Sequence, residues 1–182
     1  MGHIQAQSRR IKWLFQGLAI LFPVGICAYW LSQGTDYSWL SVFTIAPFQI
    51  PVDQYTSIPL SAQTKLLAVI CSLMLYGILF YAFKQLIQLF SHYEQGEIFT
   101  QANTRIYRKL GLTIFYWVIG EIIYNALMSI ILTINNPIGE RIFSIGISSM
   151  NLLTIILGFT VTIIAWVMQE AQQIAEENKY TI

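Results

Sequence analysis

The sequence predicts an all-α integral membrane protein, a four-helix transmembrane bundle with a long outer loop and a cytoplasmic helical hairpin. Three observations lead there. Of 182 residues, 55% are hydrophobic and only 10% charged, with a mean hydropathy of +0.58, so lipid rather than water is the expected solvent. Four apolar runs are each about 20 residues long, the length at which a helix crosses the hydrocarbon core with every backbone hydrogen bond satisfied internally. The cations are spread unevenly over the connecting segments. The whole chain, 1–182, reads as one four-span membrane domain.

The first span is expected from Trp13 to Leu31, behind Arg9, Arg10 and Lys12. Its length, and the lack of an A-x-A cleavage pattern after it, make it a retained signal anchor rather than a removed leader. Pro23 and Gly25 predict a packing kink within it. Ser32 to Thr64 follows as an outer segment, in which Pro47, Pro51 and Pro59 oppose one continuous helix. Tyr37, Trp39 and Phe43 suit an interfacial aromatic belt, with a ligand-sensing lid as the functional alternative, and the β-branched residues around them also suit a short strand or a cap.

The second span runs from Leu66 to Phe83 and continues into a hairpin over residues 84–109. Leu86, Ile87, Leu89, Phe90 and Tyr93 recur there at helical spacing. Gly96 suits the end of that helix and Thr100 the cap of the next. Ala102, Ile106 and Leu110 are expected to bury as a stripe, while Arg105, Arg108 and Lys109 bring positive charge to the inner leaflet. There they set topology, touch lipid phosphates or hold a partner.

The third span is expected from Leu110 to Ile134. Asn135-Asn-Pro-Ile-Gly139 then forces a turn, and Ile142 to Ser149 is read as an outward extension of the fourth helix. Ser148, Ser149 and Asn151 are expected to face protein. The fourth span covers Met150 to Met168, and a polar, helix-permissive tail, Gln169 to Ile182, carries Glu170, Glu176 and Glu177. An inside N-terminus places eight of the ten cations in the cytoplasm and leaves Lys65 and Arg141 outside, so both termini are expected to be cytoplasmic.

Glu121 is the charge that asks for an explanation. Counted from Leu110, it lies roughly 16 Å into the third span, near mid-bilayer. Trp117 and Asn125 lie one turn to either side of it and Tyr124 beside it, which makes these four the ligand- or proton-binding candidates. A neutral hydrogen bond to Asn125 or Thr160 that locks the bundle is the structural alternative.

The remaining residues exclude more than they suggest. His3 and His92 have no second ligand at metal spacing, and Cys27 and Cys71 sit inside apolar runs. Neither a metal nor another cofactor is expected. A net charge of +1 gives no excess for nucleic acid. With no phosphate loop and no nucleophile beside a base, an enzyme is not expected.

Two patches, Gly96-Glu-Ile-Phe99 with Asn103 and Arg105-Ile-Tyr-Arg-Lys-Leu-Gly111, and the terminal Glu176-Glu-Asn-Lys-Tyr-Thr-Ile182, resemble a bacterial family of four-span membrane proteins of unknown function. Its members share a similar hairpin and an acidic end closing in Leu-Thr-Ile, where this chain has Tyr180. Members are commonly encoded beside a small Cro/C1-type helix-turn-helix regulator. The resemblance therefore implies a bacterial plasma (inner) membrane protein that senses or regulates by holding such a transcription factor. Arg105, Arg108, Lys109, Glu176, Glu177 and Ile182 are the partner-binding candidates.

A small proton-coupled transporter using Glu121 is the alternative, and an accessory subunit of a membrane complex a third. Gly111, Gly120 and Gly158 permit close helix contacts without forming a dimerisation motif, so the oligomeric state stays open.

Overall fold

The computed structural model describes residues 3–35, 48 and 50–180. The four expected helices are present, and no strand occurs among the described residues: α1 (His3–Ser32), α2 (Ala62–Glu94), α3 (Gln101–Thr133) and α4 (Ser149–Tyr180). All four are long and apolar enough to cross a membrane. Each contains its expected span, with Ile134 alone falling just past a helix end. Large apolar side chains stay exposed on every helix, among them Leu14, Met74, Tyr116 and Trp166, a surface that water penalises and lipid does not. α1 continues through Pro23. Tyr37, Trp39, Phe43 and Pro47 lie outside the described residues.

One compact unit gathers Met1–Gly17, Leu79–Val118 and Ser148–Ile182. Its core is Leu89, Ile106 and Leu110, packed by Leu86, Tyr93, Tyr107 and Val161. Phe15 of α1 reaches Phe83 and Phe90 of α2, each at 5.9 Å between ring centroids. Close approach of α3 and α4 depends on two of the expected glycines. A Cβ on Gly111 would stand 2.7 Å from Thr162 Oγ1, and one on Gly158 would stand 3.1 Å from the Phe115 ring. Ala102 is exposed, against expectation. Asn103 is fully buried in its place, so the buried stripe is Asn103, Ile106 and Leu110, because the asparagine side chain is drawn inward to hold the loop.

The other unit gathers Leu18–Ile78 and Ile119–Ile147. Phe48 and Ile50 are buried, and the 3-10 turn Val52–Gln54 follows. Asn136 fixes this segment to the turn after α3: its Nδ2 donates to Tyr55 O at 2.9 Å, and its Oδ1 accepts from Thr56 Oγ1 at 2.7 Å.

The expected outward extension of α4 is absent. The chain from Glu140 to Ser148 is non-helical, and α4 begins only at Ser149. Two interactions explain the difference. The N–H of Ile142 donates to Thr133 Oγ1 at 3.2 Å and that of Ser144 to Ser129 Oγ at 3.1 Å, so α3 side chains satisfy this backbone. Ser148 and Asn151 then cap α4 reciprocally. Ser148 N–H donates to Asn151 Oδ1 at 2.7 Å, and Asn151 N–H to Ser148 Oγ at 3.2 Å. Asn151 is buried as expected, whereas Ser148 and Ser149 are exposed.

Candidate functional site

The α2–α3 hairpin is held by side chains at both ends of its loop. Gly96 takes the left-handed conformation, φ 83°, which a side chain would oppose. It lets Glu97 N–H reach His92 O at 3.0 Å and Gly96 N–H reach Tyr93 O at 3.1 Å. Thr100 Oγ1 accepts the Asn103 N–H at 3.3 Å and so caps α3. Asn103 Nδ2 donates to the carbonyls of Glu97 and Ile98 at 2.6 and 2.9 Å. That fixes its amide orientation, so Asn103 Oδ1 accepts from His92 Nδ1–H at 2.6 Å. The Tyr93 and Tyr107 hydroxyls close the hairpin at 2.6 Å.

α1 joins through charge. Arg9 Nε lies 2.6 Å from Glu94 Oε1, and Lys12 bonds the other oxygen. The Lys12 ammonium and then the Arg9 guanidinium hold the Glu94 carboxyl below the usual carboxylate range.

On this scaffold, Arg105 and Arg108 line a cavity of about 320 Å³. Gln101 and Thr104 complete its α3 side, a stripe at i, i+3, i+4 and i+7, and Gln169, Gln172 and Gln173 form its α4 side. Arg105 donates to Gln101 Oε1 at 3.2 Å. Lys109 is exposed and not among the lining residues. Glu177 is exposed, while the Glu176 side chain and Ile182 lie outside the described residues. The structure thus brings together two of the six partner-binding candidates and joins to them three glutamines that their sequence context did not single out.

The intramembrane candidates distribute differently. Glu121, Trp117 and Asn125 are half-buried, and Glu121 and Trp117 both have interaction partners. Thr160, one expected partner of Glu121, instead donates to Ile156 O of its own helix at 2.9 Å. Tyr124 is 2% exposed and anchors a buried network. Its hydroxyl lies 3.0 Å from Ser72 Oγ, which accepts Trp30 Nε1–H at 2.8 Å. Tyr124 also lines an apolar cavity of about 200 Å³ with Cys71, Leu75 and Gly120, and Glu121 and Asn125 do not line it.

Ser72 and Trp30 were not legible as site residues, since each is a single polar-capable group inside an apolar run. Ser129 and Thr133 left a clearer signal: Glu121, Asn125, Ser129 and Thr133 recur every fourth residue as one polar ridge along α3.

No curated protein and no solved structure matches the chain. The family model described as a protein of unknown function, DUF2975, matches residues 33–182, and a match over so much of the chain shows that this protein belongs to the DUF2975 family.

Proposed function

We propose that the protein is a non-enzymatic, multi-pass regulator of a bacterial inner membrane, with both termini cytoplasmic, that holds a small helix-turn-helix transcription factor on its hairpin and α4. The observation that supports this reading most is the construction of the hairpin. Asn103, Gly96, His92 and the Glu94 pairs with Arg9 and Lys12 make a preorganised platform. That platform presents exposed Arg105, Arg108, Lys109 and Phe99. Preorganisation lowers the entropy cost of capturing a partner, and a cationic face meets acidic surface on the protein that it holds.

The eight-to-two distribution of cations supports this orientation. The test is affinity purification of the tagged protein from native membranes in mild detergent, with mass spectrometry of stoichiometric partners. The expected result is a small helix-turn-helix protein, lost on Arg105→Ala with Arg108→Ala or on removal of the last seven residues. A clean, partner-free protein overturns the reading and directs attention to transport through Glu121.

A further inference from the structure

We propose that the cavity between the α3 stripe of Arg105 and Arg108 and the α4 glutamines is a phosphate-binding pocket, filled by the headgroup of an anionic phospholipid. Three independent observations carry the assignment.

The first is electrostatic. Among the described residues the lining is two guanidiniums, four amides and a hydroxyl, with no carboxylate. Neither arginine is ion-paired among the described residues, in contrast to Arg9 and Lys12, which both engage Glu94. The arginines also sit in the second turn of α3, whose first turn carries no acid. Two cations within one turn of each other repel, and an anion between them removes that repulsion.

The second is chemical. Guanidinium donors match phosphate oxygens in pairs, and glutamine Nε2 groups complete the cradle as neutral donors. The cavity, about 320 Å³, is several times the roughly 30 Å³ share of one water and admits a tetrahedral phosphate.

The third is depth. The apolar run of α3 begins at Leu110, so Arg108 and Arg105 lie within roughly 8 Å of it along the helix. On α4 the glutamines begin at Gln169, directly after the apolar run ends at Met168. Both halves of the pocket thus stand at the hydrocarbon boundary, where lipid phosphates reside.

The test uses the full-length protein in neutral detergent, with the shift in melting midpoint read against three probes at constant ionic strength. These are dioctanoyl phosphatidylglycerol, dioctanoyl phosphatidylcholine and inorganic phosphate. Phosphatidylglycerol is expected to raise the midpoint in a saturable way, and phosphatidylcholine and inorganic phosphate to act weakly. A saturable response to inorganic phosphate equal to that of phosphatidylglycerol keeps the phosphate pocket but names a soluble ligand as its source.

Arg105→Gln with Arg108→Gln is expected to weaken the apparent affinity roughly tenfold or more. Gln173→Glu, which leaves both arginines in place, should do the same, and Arg10→Gln, the same loss of charge on another helix, should retain binding. The proposal is overturned if no probe shifts the wild-type protein, if the shift survives the double substitution, or if Arg10→Gln abolishes it equally. Partner capture is measured separately, so a protein blind to phosphate that still recovers its partner fails this inference alone.

Discussion

Asn103 and Gln85 show how differently two buried amides can stand in one hairpin. Asn103 makes three side-chain hydrogen bonds, to His92, Glu97 and Ile98. Gln85, 5% exposed, leaves its Oε1 buried without a hydrogen-bond partner. Removing the first strands two loop carbonyls and the His92 N–H, whereas removing the second strands nothing. Asn103→Ala is therefore expected to destabilise the protein by about 2 kcal/mol or more, and Gln85→Met to be neutral or to stabilise it by about 1 kcal/mol, measured by denaturation in micelles.

Glu94 adds a pH dependence. Its folded-state pKa lies below the ordinary carboxylate value of about 4.3. The stabilisation is therefore complete above that value and is lost as pH falls through the folded one. The melting midpoint should fall on acidification below about pH 4.5, and Glu94→Gln should remove that part of the slope. A slope unchanged in the variant would assign the acid sensitivity elsewhere.

Among the helices, glycine has two different meanings. Gly111 faces Thr162, whose hydroxyl is tied to Gly158 O at 2.9 Å, so the neighbour has little freedom to give way. Gly111→Ala should cost about 1–2 kcal/mol, and Thr162→Ala in the same chain should restore most of it. Gly17 of α1 has nothing within 4 Å of an added Cβ, so Gly17→Ala should stabilise by up to about 1 kcal/mol through helix propensity and unfolded-state entropy. Equal effects at the two sites would mean that backbone freedom, not helix contact, sets the cost.

At the scale of the whole chain, apolar run length alone located the four helices, because backbone satisfaction in lipid leaves a run of that length little choice but helix. Turn chemistry located Gly96 and Thr100 for the same local reason. The register of the hairpin was less legible: Ala102 is the more apolar residue, and only the loop carbonyls of Glu97 and Ile98 explain why Asn103 turns inward. The start of α4 was hidden because Ile142-Phe-Ser-Ile-Gly-Ile147 is apolar enough to read as helix, and its hydrogen-bond acceptors lie on another element. Glu121 drew attention by its charge, whereas Arg105 and Arg108 acquire a shared cavity only through the α4 glutamines, more than sixty residues away along the chain.

The hydroxyl rungs on α3 also set a limit on the chain that they hold. Ser129 and Thr133 are one four-residue step apart, about 6.0 Å of helix rise. They meet alternate residues of the returning chain, Ser144 and Ile142, whose natural step as extended backbone is about 6.6 Å. The two repeats behave as a vernier: they coincide locally and drift by about 0.6 Å with each further rung. A long docked strand is therefore incommensurate with a straight helix. After a few residues the return has to find its own internal hydrogen bonds, and in this chain it does so by restarting a helix at Ser149.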